Sequence, residues 1–275
     1  QHPIIHLSFA VMDYKNLDLE QEIKRYLRLN AQKYAIQLQD DIPKFMFQQL
    51  ILELSKIEKV VVLIDEYDKP IIDYLEPEQI STAQKHRDIL KNFYGILKDS
   101  DKYIRFLFIT GVSKFSRVSI FSDLNHLLDI SLHPKFATLT GYTQKEMESY
   151  FSEPIREIAQ NQRVSYNDLM EQIRLWYNGY SWLGEKVYNP FSVLCYLSSG
   201  QLSNYWFETG SPTFLIKILR KEMEFDFEEV EANEFMMNSY QIENLHPITL
   251  LFQTGYLTIQ EKRVETFCFL TRIWK

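Results

Sequence analysis

Hydrophobic positions in the first half of the chain fall into short unbroken runs separated by stretches of helical spacing. Residues 60–64, Val-Val-Val-Leu-Ile, run straight into Asp65 and Glu66. A continuous β-branched and aliphatic run predicts a strand buried on both faces of a parallel sheet. The opening PIIHLSF, residues 3–9, predicts another strand, and YIRFLFITG, 103–111, a third that ends in polar Thr110. The short KFATL, 135–139, predicts a fourth. Residues 19–57 read as helical with a break near Pro43, since Phe47, Leu50, Ile51, Leu54 and Ile57 recur at helical spacing. Residues 80–97 repeat the pattern through Ile89, Phe93, Ile96 and Leu97. Strands alternating with helices imply right-handed crossovers and an α/β fold with a parallel sheet flanked by helices.

The pattern changes after Gly141. Thr143 and Glu146 have the spacing of a capping box at the start of a helix, and a further helix is expected over 166–177. The rest reads as short helices and turns, ending in a short helix within 247–260 and a two-stranded hairpin completed by 264–270. A helix followed by a hairpin is compatible with a winged-helix unit. The expected organisation is therefore an α/β core over 1–141 and a mainly helical region with a winged-helix-like end over 142–275.

Composition narrows the function classes. The chain of 275 residues is 45% hydrophobic and rich in Phe and Tyr, enough to bury a real core. No apolar run approaches the roughly 18 residues that span a bilayer, which predicts no membrane association. The N-terminal residues lack the basic and apolar segments of a signal peptide. Cys195 and Cys268 are too few and too far apart for a disulfide framework or a CxxC knuckle, so a reducing cytoplasm fits. A net charge of −7 argues against broad sequence-independent binding of nucleic acid and leaves a local basic patch open. The chain starts without Met and enters a strand almost at once, which suggests a fragment whose first element lies upstream.

Candidate chemistry centres on Asp65 and Glu66. Carboxylates at the carboxyl end of a buried parallel strand lie where open α/β sheets bind ligands. One can hold Mg²⁺, directly or through water, while its neighbour polarises an attacking water, as in the Walker B element of ATPases. The plainer alternative is a buried strand ending in a solvated acidic turn. None of the eight glycines belongs to a Gly-x-x-x-x-Gly-Lys-Ser/Thr loop, so the phosphate cradle is missing from this sequence.

Other constellations are weaker. Asp65, Glu66, Asp68 and Asp73 lack the Glu-x-Lys pattern of a metal nuclease, and Asp68 is expected to orient a helix start or pair with Lys69 or an arginine. His2 and His6 have zinc-like spacing but lie in a strand pattern, and the other histidines show no ligand spacing. Arg105 and Arg117 flank the third strand and are candidates for a trans-acting arginine finger or for ordinary surface ion pairs. Trp176, Tyr177, Tyr180, Trp182, Tyr205, Trp206 and Phe207 are expected as interdomain core rather than a base-stacking platform.

Several blocks together resemble the AAA-ATPase-like proteins of the ASCE P-loop class, whose longer members carry a PD-(D/E)XK nuclease-like domain at the C-terminus. They are VVVLIDEYDKPI (60–71), FLFITGVSKFSRVSIFSDLNHLLDIS (106–131), LTGYTQKEMESYF (139–151), WYNGYSW (176–182), VYNPFSVLCYL (187–197), NYWFETGSPTFLI (204–216) and LLFQTGYLTI (250–259). By that resemblance Asp65 is the Walker B carboxylate near Mg²⁺ and Glu66 the base that activates water. Thr110 is the sensor residue that reports on the γ-phosphate, with Ser113 and Lys114 as secondary candidates. ATP and Mg²⁺ are the implied cofactors once the absent P-loop is restored. Self-association and an attached or partner nuclease-like domain are implied partners, with nucleic acid left open. Two readings follow: an ATPase-class domain that hydrolyses ATP when complete, and a non-catalytic remnant or interaction module that keeps the fold.

Overall fold

The computed structural model describes residues 1–113, 120, 121, 124, 127–206, 230–233, 247–262 and 266–271. They divide into two compact units, one built from residues up to Leu127 and the other from the described residues from Leu128 onward. No helix among the described residues is long and apolar enough to cross a membrane.

The first unit holds a three-stranded parallel sheet in the order β1 (Ile4–Ser8), β2 (Val60–Asp65), β3 (Ile104–Ile109). Its connections carry α1 (Leu19–Gln32), α2 (Pro43–Ser55), α3 (Lys69–Ile72), α4 (Ile80–Tyr94) and α5 (Ile96–Asp99). Asp18 starts α1 by accepting from the Glu20 amide, and α1 buries Leu19, Ile23, Leu27 and Ala31 at every fourth position. Pro43 sits in the first turn of α2, where its missing N–H and fixed φ favour a helix start. Residues 33–42 between them leave the helix, with Ala35 at φ +55°.

On one face of the sheet Ile5, Leu7, Val60, Val62 and Ile64 are buried. The other face is not covered to the same degree. Ile4, Val61 and Phe106 lie in one row across the three strands, and Phe106 is 53% exposed. The unbroken apolar run of β2 thus reflects one buried face and one half-covered face, not two buried faces.

The two edges of the sheet also differ. Along β1, the Asn30 side chain accepts from the His6 amide at 3.1 Å and donates to the His6 carbonyl at 2.9 Å. Tyr34 Oη accepts from the Ile4 amide at 2.7 Å and donates to its carbonyl at 3.3 Å. Side chains of α1 and the turn after it thereby stand in for a neighbouring strand, which protects an otherwise sticky edge. The outer edge of β3 has no such partner among the described residues.

The fourth strand expected over 135–139 does not form. Pro134 begins a short 3-10 turn over Pro134–Phe136, and His133 accepts from the Lys135 amide. Proline cannot supply a ladder N–H and is preset for the first position of such a turn. The turn continues through Leu139, whose amide bonds to the Phe136 carbonyl.

The second unit is helical around α6 (Gln144–Tyr150), α7 (Ser152–Gln162), α8 (Tyr166–Tyr177) and α9 (Pro190–Ser199), with the short pair β4 (Asn178–Tyr180) and β5 (Val187–Tyr188). The Thr143–Glu146 capping box forms, with the Thr143 amide donating to Glu146 at 2.8 Å. Met147, Ile155, Leu169, Ile173, Tyr177, Tyr188, Val193 and Tyr196 make one core. Further strands β6 (Val230–Asn233), β7 (Leu257–Lys262) and β8 (Thr266–Thr271) form an antiparallel sheet in the order β6-β8-β7, preceded at β7 by α10 (Pro247–Gln253). Of the aromatic set, Tyr177 and Tyr205 pack within this unit, as do Tyr180, Trp182 and Trp206. Phe207 lies outside the described residues.

Candidate functional site

The parallel sheet brings Ser8, Asp65 and Thr110 together at the carboxyl ends of its strands, because Ser8 pairs with Asp65 and the Thr110 amide donates to the Ile64 carbonyl at 2.9 Å. Asp65 is exposed at the last position of β2. The Thr110 hydroxyl donates to Asp65 Oδ1 at 2.5 Å. The other Asp65 oxygen has no hydrogen-bond partner among the described residues.

Immediately after Asp65 the chain turns sharply. Glu66 has φ +50°, the left-handed region that a residue with a Cβ seldom adopts. The strand therefore stops at Asp65, and Glu66 does not continue its alternation of faces. Tyr67 then returns to the end of β3, its amide donating to the Thr110 carbonyl at 3.0 Å and its hydroxyl to the Ser113 carbonyl at 2.8 Å.

Asp68 completes this arrangement and corrects the role expected for it. It precedes α3 but makes no side-chain cap to that helix. Its carboxylate is fully buried and accepts from the Val112 amide at 3.2 Å, the Ser113 amide at 2.5 Å and the Ser113 hydroxyl at 2.5 Å. Burial raises its pKa to about 6, with the hydrogen bonds from Ser113 and Val112 opposing that shift. Gly111 fits between because it has no side chain: a Cβ there would lie 2.5 Å from the Tyr67 ring and 2.6 Å from Asp68 Oδ1. Behind this layer the Tyr94 ring is wholly buried, and its hydroxyl has no hydrogen-bond partner among the described residues.

Lys69 pairs with Asp73 rather than Asp68, at 3.3 Å, and Lys15 reaches Asp73 at 2.9 Å. Tyr14 donates its hydroxyl to the same carboxylate at 3.0 Å. Burial pushes Asp73 upward, but Lys15, Lys69 and Tyr14 outweigh it and hold the carboxyl below its ordinary range. Ser113, expected near a γ-phosphate, is instead buried against Asp68. Lys114 and Arg117 lie outside the described residues, and Arg105 is exposed on β3. His2 bonds to the Lys59 carbonyl at 2.9 Å. Among the described residues, no three of His, Cys, Asp and Glu converge as a metal cage. At the strand ends Asp65 is an exposed carboxylate that could contribute one ligand to an ion.

The comparisons with known proteins bear on this unit. Residues 1–121 match the AAA-ATPase-like family model, described as predicted AAA-ATPase. The chain is also similar to an uncharacterized protein encoded in the vnfD 5′ region of Azotobacter chroococcum mcd 1, at 39% identity over 266 residues. That alignment covers 94% of this chain and 49% of the relative, so the chain spans about half the length of the curated relative it matches. No solved structure matches the chain significantly. The family match ends at residue 121, so it contains β1, β2, β3 and the whole Asp65–Ser113 arrangement.

The sequence reading paired Asp65, Glu66 and Thr110 and missed Asp68 as a partner of Ser113. The two are 45 residues apart, and only the parallel pairing of β2 and β3 makes them neighbours. The one available signal was Gly111 directly after a strand, a mark of close backbone approach.

Proposed function

We propose that the first unit forms the hydrolytic half of a magnesium-dependent ATPase site. In this reading Asp65 holds Mg²⁺ directly or through water, Glu66 takes the proton of the attacking water, and Thr110 orients Asp65 and meets the γ-phosphate. Bound magnesium would neutralise charge on the phosphate oxygens, where positioning and electrostatics supply most of the catalysis. The hydrogen bond joining Thr110 to Asp65 at the ends of adjacent parallel strands carries the proposal. The match of residues 1–121 to a family described as predicted AAA-ATPase supports it.

The phosphate cradle, a set of backbone amides and a lysine, comes in this reading from polypeptide outside residues 1–275. Among the described residues β3 has no neighbour on its outer edge, where this reading places a further strand beside Thr110. The remaining length of the intact protein would carry the nuclease-like domain, and α10 with β7 and β8 would form a winged-helix-like element. Calorimetric titration of the full-length protein with ATP and Mg²⁺, followed by turnover measurement, tests the proposal. Micromolar binding with turnover supports it, and no nucleotide binding by the intact protein would favour a non-catalytic module that keeps the fold.

A further inference from the structure

We infer that Asp68 and Ser113 are a positioning pair that holds the 65–68 turn, and with it Glu66, in the left-handed conformation the site uses. The inference rests on the reading of Glu66 as the water-activating base. It also makes a structural claim that stands without that reading.

A left-handed backbone at a glutamate is unfavourable and persists only where surrounding contacts fix it from both sides. Both sides of Glu66 are fixed here. On the N-terminal side Asp65 is held by the Thr110 hydroxyl. On the C-terminal side the Tyr67 amide and hydroxyl bond to the Thr110 and Ser113 carbonyls, and Asp68 takes three hydrogen bonds from Val112 and Ser113. All of these partners belong to the segment leaving β3, so Asp65, Tyr67 and Asp68 are each tied to it on either side of Glu66, with Gly111 against Tyr67 and Asp68.

Asp68 is the strongest of these anchors. It is a carboxylate out of contact with water, it touches no cation among the described residues, and three donors converge on it. Burying a carboxylate in that way is costly, as its raised pKa reflects, so a merely structural contact between two turns would be better served by an apolar pair. What the carboxylate adds is direction. Only an acceptor with two oxygens satisfies the amides of Val112 and Ser113 and the Ser113 hydroxyl together. An asparagine at 68 can serve the Ser113 donors with its oxygen, but then its own N–H₂ faces the Val112 N–H.

The test uses the full-length protein labelled with ¹³C and ¹⁵N in glutamate, with the Glu66 signal assigned by its loss in Glu66→Gln. Backbone shifts of Glu66 report its positive φ. In Asp68→Asn these shifts should move toward those of a right-handed or unstructured residue, while signals from the other glutamates of the first unit stay in place. Ser113→Ala removes one of the three hydrogen bonds and should give a smaller shift in the same direction, which keeps the test valid if Asp68→Asn fails to fold. Unchanged Glu66 shifts in Ser113→Ala and in folded Asp68→Asn would overturn the inference. In ATP turnover, Asp68→Asn should lower kcat by roughly 10–100-fold with KM for ATP nearly unchanged, the cost of misplacing a reacting group by about 1 Å. Added to Glu66→Gln, it should lower kcat no further. Equal further loss on that background would overturn the claim that Asp68 acts through Glu66. Shift changes in the two variants, together with a wild type that shows no turnover, would overturn the ATPase reading and leave the positioning pair standing.

Discussion

Thr110 and Asp65 are joined by a 2.5 Å hydrogen bond between the carboxyl ends of adjacent parallel strands. The bond is made by an exposed carboxylate, which water would otherwise solvate well, so its value for stability is small. Its consequence is geometric: it ties one oxygen of Asp65 to the end of β3, while the second has no hydrogen-bond partner among the described residues.

Replacing Thr110 by Val keeps shape and removes the hydroxyl. Stability should change by no more than about 1 kcal/mol, because the partner carboxylate is exposed. ATP turnover by the full-length protein should fall, and Thr110→Ser, which restores the donor, should recover most of it. Failure of Thr110→Ser to recover activity, or full activity in Thr110→Val, would take the Thr110 hydroxyl out of the site.

Glu66→Gly separates stability from function. Glycine adopts φ +50° without the Cβ penalty, so the variant should be as stable as the wild type or more stable by about 0.5–1 kcal/mol in urea unfolding. Turnover should be lost with the carboxylate. A clear loss of stability would show that the Glu66 side chain itself holds the turn.

Asp68 and Asp73 give stability opposite pH dependences. The folded pKa of Asp68 is raised to about 6, so its contribution is fully present below its ordinary value of about 4 and is lost as pH rises through 6. Its neighbours Tyr67 and Tyr94 bring no positive charge to offset this. Asp73 is lowered, so its contribution is present above about 4 and is lost on acidification through its folded value. Urea unfolding of Asp68→Asn from pH 4 to 7 should therefore lack the decline, on the order of 2–3 kcal/mol, that the wild type shows over that range from this group. An identical profile in variant and wild type would mean that Asp68 titrates alike in the folded and unfolded chain, against a pKa raised by burial.

Asn30→Leu should open the protected edge of β1. The His6 N–H and C=O lose their partners, at a cost of about 1–3 kcal/mol, and the exposed edge can pair with a second molecule. Sedimentation velocity should show concentration-dependent association absent from the wild type. A monomeric variant of unchanged stability would show that water replaces Asn30 without loss.

The strands were legible where hydrophobic runs ended in a chemically distinct residue. Val60–Ile64 before Asp65, and Phe106–Ile109 before Thr110, located β2 and β3 and aligned their ends. The capping box at Thr143 was equally local and formed as expected. KFATL misled because five residues carry too little periodicity, while Pro134 just before them set a helical turn. Half-exposure of Phe106 and Val61 was hidden for a related reason: an apolar run shows which residues tolerate burial, not which face another element covers. The Asp68–Ser113 contact and the left-handed Glu66 depend on how two distant turns meet, and no spacing along the chain encodes that.

The central claim divides labour between neighbouring carboxylates, one serving the metal and the other the water. The most direct measurement is ATP binding and hydrolysis by the full-length protein and its Glu66→Gln and Asp65→Asn variants across a Mg²⁺ titration. Glu66→Gln should bind ATP as the wild type does and hydrolyse it roughly 10²–10⁴-fold more slowly, the contribution of a general base. Asp65→Asn should need more Mg²⁺ for the same binding. Equal loss of ATP binding in both variants, or wild-type hydrolysis in Glu66→Gln, would contradict the account and leave β2 as a strand with an acidic end.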